Sequence, residues 1–247
     1  MIESAVSTIR YRYFEPLTLD DLAQSARVSK FHFLRTFRRV TGVTPGRFLT
    51  AVRLEEAKRL LLTTSLNVSD VSAQVGYSST GSFTRRFTES VGCSPTQYRQ
   101  YGPGESVGGP ALGPAAVTGG RDGRGGTVTG IVRVFDPGVT AVYIGVFESS
   151  ILERCPAVRA VIIEPGSFRL TGVPEGTWFI HAVGHGTHPD GVPSPGKQNL
   201  LVGTVGPIDI APGEVVDLNL TVRPPAWHHP PILLALPDLV EQPSIAA

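Results

Sequence analysis

The chain has 247 residues, 41% of them hydrophobic, and a formal net charge of +1, which is enough apolar content for packed cores in one or two domains. Cys93 and Cys155 match neither a disulfide framework nor a metal-site spacing. The first residues lack a basic start followed by an apolar run, and the longest apolar run, 232–236, stops at Pro237. A secreted disulfide scaffold and a membrane-spanning protein are therefore excluded as expectations, and a reducing, cytoplasmic setting is expected.

The charge is unevenly spread. Residues 1–101 hold 14 of the 22 Lys+Arg but only 8 of the 21 Asp+Glu. Seven of those 14 lie in two short stretches, 30–39 and 85–99. A polyanion partner is expected for this part of the chain only.

Residues 1–14 read as a helix with Val6, Ile9 and Tyr13 on one face, ended by Pro16. Thr18 caps a second helix, 19–26, with Asp21 completing a capping box. Ser29 caps a third, 30–40, closed by Gly42. Its core stripe is Phe33, Phe37 and Val40, which leaves Phe31, His32, Leu34, Arg35, Arg38 and Arg39 outside.

Residues 44–64 read as one longer helix, capped by Thr44 with Pro45 in its first turn. Phe48, Leu49 and Val52 fall on one arc. Leu54, Ala57, Leu60 and Leu61 fall on another, roughly 150° away. Such a helix is a strut between two small subdomains. At 1.5 Å per residue it spans roughly 30 Å, close to the ~34 Å between successive major-groove segments. Glu55 and Arg59 have the spacing of a helical ion pair, and Arg53 is expected to pair with an acid such as Asp70.

Beyond the strut the pattern returns. Asn67 caps a helix carrying Val68, Val71 and Val75, ended by Gly76. Ser79 or Ser78 caps the next, 80–91, with core positions Phe83, Phe87 and Val91 and a closing Gly92. A short helix follows Pro95. Ser29, Phe33, Phe37 and Gly42 have the same spacing as Ser79, Phe83, Phe87 and Gly92. The sequence therefore contains a duplicated helix–turn–helix, offset by 50 residues.

Residues 102–126 are rich in Gly, Pro and Ala and read as a flexible linker. From residue 127 the apolar period is two. Candidate strands are 128–135, 140–147, 158–163, 167–170, 177–183, 199–205, 208–210 and 215–222, punctuated by Gly and Pro turns. The expected architecture is an all-α double helix–turn–helix domain (1–101) followed by an all-β antiparallel sandwich (127–223). Residues 224–247 read as a Pro-rich tail whose 232–236 run docks on the sandwich or on a neighbour.

Residues 1–100 resemble the DNA-binding domain of the AraC/XylS transcription regulators. The likeness is carried by Arg53-Leu54-x-x-Ala57-x-x-Leu60-Leu61, Val68-x-x-Val71, Val75-Gly76-Tyr77, Phe83-x-Arg85-x-Phe87 and Gly92-x-Ser94-Pro95-x-x-Tyr98-Arg99. Ser72 departs from the family's usual Ala. In most of the family this domain follows a ligand-binding barrel, whereas here it comes first. The resemblance implies double-stranded DNA as partner, with one helix of each repeat in a major groove. In the first repeat the implied base-edge readers are Phe31, His32, Leu34 and above all Arg35. In the second, Ser79, Thr80, Gly81 and Ser82 lie at the DNA and Arg85 carries most of the readout. Lys30, Arg38, Arg39, Arg86 and Arg99 are the implied phosphate contacts.

The segment around Thr129-Gly130-x-Val132 and 166–180 resembles a carboxypeptidase regulatory-like (transthyretin-like) domain, a noncatalytic module. An effector or protein partner at the sandwich is the expectation. His181, His185 and His188 have a spacing that invites a metal, but the expected reading is one core histidine and two loop histidines, with no metal or cofactor. Nothing resembles a catalytic set, so no enzymatic activity is expected. The sequence leaves the oligomeric state open.

Overall fold

The computed structural model describes residues 1–100, 125–136, 138–139, 141–163, 165–186 and 200–235. The expected linker lies outside them except for Gly125 and Gly126, as do His188 and residues 236–247. The chain forms two compact units.

The first unit is helical: α1 (Ile2–Tyr11), α2 (Leu19–Ser25), α3 (Lys30–Thr41), α4 (Pro45–Thr63), α5 (Val68–Gln74), α6 (Thr80–Val91) and α7 (Pro95–Arg99). Local chemistry fixes the boundaries. The side chains of Thr18, Ser29, Thr44, Asn67, Ser79 and Ser94 each accept the backbone N–H three residues on, which satisfies an otherwise orphaned donor. Thr18 with Asp21, and Ser94 with Gln97, are full capping boxes. Gly42 and Gly92 end α3 and α6 in left-handed backbone, at φ 77° and 94°. The first helix stops at Tyr11, short of residue 14. Arg12 turns to Glu15 at 2.6 Å, and Arg53 takes the carbonyls of Tyr13 and Glu15 at 2.7 and 2.8 Å. These bonds draw residues 12–15 out of the helical ladder.

The strut helix α4 buries Phe48, Leu49 and Val52 as well as Leu54, Ala57, Leu60 and Leu61. It packs against α1 and α3 and also against α5 and α7. Both arcs are therefore covered, as the sequence pattern requires. Its polar pairings differ from the expected ones. Arg59 pairs with Glu56, and Glu55 lies 3.8 Å from Arg10. Among the described residues Arg53 pairs with no carboxylate: it donates to main-chain carbonyls and lies over the Tyr77 ring.

Each repeat has the same aromatic centre. Phe33, Phe37 and Phe48 follow one another at 5.7 Å centroid spacings. Phe83, Phe87 and Tyr98 do so at 5.6 and 5.7 Å. A cation covers each end, with Arg10 over Phe48 and Lys58 over Tyr98. Helix α7 thus repeats the first turns of α4.

Two segments from later in the chain, 151–154 and 226–235, belong to this unit. Leu233 is 1% exposed and Ile151 2%, both within the helical core. Leu233 and Leu234 donate to the Leu152 carbonyl, and Ala235 donates to that of Val91. Lys58 Nζ donates to the carbonyls of Ile232 and Leu233 at 3.1 Å. The Glu153 carboxylate is buried and meets Arg47 at 2.5 Å. Residues 232–235 of the run expected on the sandwich or on a neighbour therefore pack with the helices; Leu236 lies outside the described residues. Apolar side chains flanked by prolines have no period of their own and adopt the partner's backbone pattern.

The second unit contains β1 (Gly126–Val134), β2 (Val142–Phe147), β3 (Val158–Ile162), β4 (Ser167–Val173), β5 (Gly176–His185), β6 (Leu200–Ile210) and β7 (Val215–Val222). They form two sheets, β4-β1-β7 and β3-β2-β5-β6. Val128, Val132, Leu170 and Leu220 from one sheet share a core with Ile144, Val146, Ile180 and Ala182 from the other. The expectation of a purely antiparallel arrangement is corrected: β1 and β7 run parallel, with Thr127 opposite Val215 and Val134 opposite Val222. The strands expected at 199–205 and 208–210 are one strand. Pro207 is tolerated because β6 is an edge strand and the ladder to β5 shifts register between Trp178 and Ile180.

Candidate nucleic-acid interface

The two helix–turn–helix elements are α2–α3 and α5–α6. Both turns close the same way. The N–H of Val28 donates to Ala23 and that of Tyr77 to Ser72, five residues back, which ties off the last turn of α2 and of α5. The residue before each donor is left-handed: Arg27 at φ 55° and Gly76 at φ 83°.

On α3 the start of the helix is open to solvent. Phe31 is 84% exposed, with Lys30, His32, Arg35, Arg38 and Arg39 exposed around it. Lys30 meets Asp20 at 2.5 Å. Leu34 differs from the expected arrangement: it is half-buried and, with Leu17, Leu22 and Leu49, walls a cavity of about 220 Å³ beside α2 and α4.

On α6, Ser79, Gly81, Ser82 and Arg85 are exposed, while Thr80 and Arg86 are half-buried. Ser79 is also the N-cap, and its carbonyl accepts the Ser82 hydroxyl at 2.9 Å. Thr80 and Ser69 share a hydroxyl–hydroxyl bond of 3.1 Å across the turn. An added Cβ at Gly81 would meet only the Ser79 hydroxyl, at 3.7 Å, so the backbone is approachable there. Arg85 extends into solvent, but its Nε donates to Glu89 at 2.9 Å. That pair holds the Glu89 carboxyl below the usual carboxylate range and raises the guanidinium. Glu89 was not singled out in the sequence, although its spacing from Arg85 could have revealed it.

Arg99, expected at a phosphate, is turned inward: it donates to the Leu66 carbonyl, and its Nε is buried. It ties α7 to the loop before α5. Of the three histidines, His188 lies outside the described residues, and His181 and His185 do not come together. His181 is 1% exposed, with Nδ1 2.9 Å from the Thr204 hydroxyl and Nε2 2.8 Å from the Ser149 carbonyl, so both ring nitrogens are occupied. Burial pushes its pKa down to about 4. His185 lies four residues further along the same strand, roughly 13 Å away. Among the described residues no three metal-ligating side chains come together. Cys93 and Cys155 are both free thiols. Among the described residues no helix is long and apolar enough to cross a membrane.

Two capped helix pairs with matching turns and aromatic centres, joined by one strut, define a double helix–turn–helix domain. A family model described as a helix-turn-helix domain matches residues 22–101. The lactose operon transcription activator of Staphylococcus xylosus is 34% identical over 100 residues, which is 40% of this chain and 36% of that protein. The transcriptional activator AarP of Providencia stuartii is 39% identical over 83 residues, 34% of this chain and 62% of that one. The Tn10 TetD protein of Escherichia coli is 33% identical over 100 residues, 40% of this chain and 72% of that protein. Through its helical unit the chain belongs to the AraC-type helix–turn–helix family of transcription regulators. It spans between about a third and three fifths of the length of the first two relatives.

Proposed function

We propose that this chain is a sequence-specific transcription regulator that places α3 and α6 in successive major-groove segments of double-stranded DNA. One observation carries the reading: Arg35 and Arg85 occupy the same position of the two repeats, and both are exposed. An α4 of 19 residues is roughly 28 Å long, near the rise of one duplex turn. Arg35 and Arg85 contact guanine edges, and Phe31 packs on a thymine methyl. His32, Thr80, Gly81 and Ser82 line the groove, while Lys30, Arg38, Arg39 and Arg86 hold phosphates.

The β unit is a transthyretin-like sandwich that makes contact with a protein partner or senses an effector. The exposed aliphatic side chains of Ile131, Ile163 and Val215, at 44%, 79% and 62% exposure, support contact with a partner.

The test is equilibrium binding of the full chain to a site selected from random duplexes. Arg35→Ala and Arg85→Ala should each cost about 1–3 kcal/mol of specific binding, and affinity should fall steeply with salt. Specific binding that survives both substitutions unchanged would remove α3 and α6 as readers.

A further inference from the structure

We infer that Arg27, in the turn between α2 and α3, holds a DNA phosphate at the edge of the groove that α3 enters, a contact the second repeat cannot make. This contact rests on the DNA-binding reading proposed above and makes the two halves of the bound site unequal. Arg27 lies two residues before Ser29, the N-cap of α3, a separation of at most about 7 Å. The turn follows α2, and the first helix of such a pair crosses the DNA backbone. A major groove is about 12 Å wide, so its walls stand roughly 6 Å from a helix start at its centre. Those walls are sugar and phosphate, and the planar guanidinium fork suits phosphate.

The cation is available for such a contact. Arg27 is exposed, and among the described residues it forms no ion pair, whereas Lys30 is held by Asp20 and Arg85 by Glu89. Its backbone is also strained. At φ 55° the Cβ of an L-residue crowds the following carbonyl, which costs stability. The exposed side chain adds no packing to offset that cost, and the matching step of the second turn is a glycine, Gly76, at φ 83°. Strain kept at one of two matching steps points to a use for the side chain there. In the second repeat the place is closed: a Cβ on Gly76 would lie 2.6 Å from the Phe14 carbonyl oxygen. The α3 half of the site thus gains a phosphate grip at a step where the α6 half has none.

The test is equilibrium binding of the full chain, over a range of salt, to a duplex selected from random sequence and to an unrelated duplex. Arg27→Gly gives the first turn the residue of the second. It should raise the melting temperature yet weaken binding to both duplexes alike, by about ten-fold, with the salt slope reduced by about one. A role in folding alone would move stability and affinity together. Arg27→Lys should keep the slope and lose less affinity. Should glycine loosen the turn, Arg27→Asn repeats the measurement, since asparagine tolerates left-handed backbone. Ethylation interference should reveal a phosphate beside the α3 half whose effect disappears in Arg27→Gly. Unchanged affinity and slope in Arg27→Gly, while Arg35→Ala still loses the selected duplex, would overturn this contact and leave the proposed readers standing. Loss confined to the selected duplex would make Arg27 a base reader and overturn it as well. A wild type that binds neither duplex would sink both this contact and the function proposed above.

Discussion

Arg27 and Gly76 stand at the same step of the two helix–turn–helix turns, both in left-handed backbone, but only one is a glycine. A side chain in this region costs roughly 1 kcal/mol because its Cβ crowds the following carbonyl. Arg27→Gly is therefore expected to stabilise the helical unit by up to about 1 kcal/mol in urea unfolding. Gly76→Ala should be strongly destabilising, because its Cβ would lie 2.6 Å from the Phe14 carbonyl oxygen. Equal responses at the two positions would contradict this account.

Leu233→Ala is expected to destabilise the helical unit by about 2–4 kcal/mol, as for truncation of a fully buried leucine. Thermal melts of the full chain, followed at helical ellipticity, measure it. A near-neutral result would mean that the segment is not part of that core.

Burial also depresses the charge on Lys58, to a pKa of about 8. Its folded value lies below its unfolded one, so the unfolded chain holds the extra proton between pH 8 and about 10.5. Stability of the helical unit should rise with pH across that window. Burial raises the Tyr13 and Tyr77 hydroxyls. They act in the opposite sense above pH ~10, which limits the useful range to about pH 8–10. Lys58→Met should flatten the rise.

His181 gives the β unit an acid limit. Its pKa near 4 means that the folded chain stays neutral while the unfolded one protonates below about 6.5. Stability present above pH 6.5 should be lost as pH falls to 4, by roughly 3 kcal/mol at most. Urea midpoints of the wild type and His181→Gln, compared at pH 7 and 4.5, read the difference; parallel losses would remove His181 as the cause.

On α6, Glu89 holds the Arg85 side chain that the proposed function assigns to a guanine edge. Glu89→Gln is expected to tighten duplex binding by the full chain, with the gain vanishing in the Arg85→Ala background and shrinking at high salt. Equal tightening in both backgrounds would show simple removal of repulsion from phosphate.

The helices were legible because their signals are local. A serine, threonine or asparagine cap and a three-and-four apolar rhythm act within one turn, and α2 through α7 begin at such caps; a closing glycine follows α3 and α6. The strut's two arcs were readable for the same reason. What escaped depends on which distant surface a residue meets. Nothing near Arg99 says that it will find the Leu66 carbonyl, and Leu34 carries the same letter whether it faces a cavity or a groove. The Pro207 break vanished because an edge strand has ladder positions that need no donor. The parallel pairing of β1 with β7 is set by sheet order, which strand-length patterns do not encode.

The placement of Leu233 bears on how the molecule is made. Helices α1 to α7 leave the ribosome long before this leucine does, so they lack its packing until all seven described β strands have been translated. A truncated product would carry every candidate DNA-reading side chain and still lack the wedge that locks them in place. The order of synthesis thus reserves the fully packed helical unit for chains translated at least as far as Leu233.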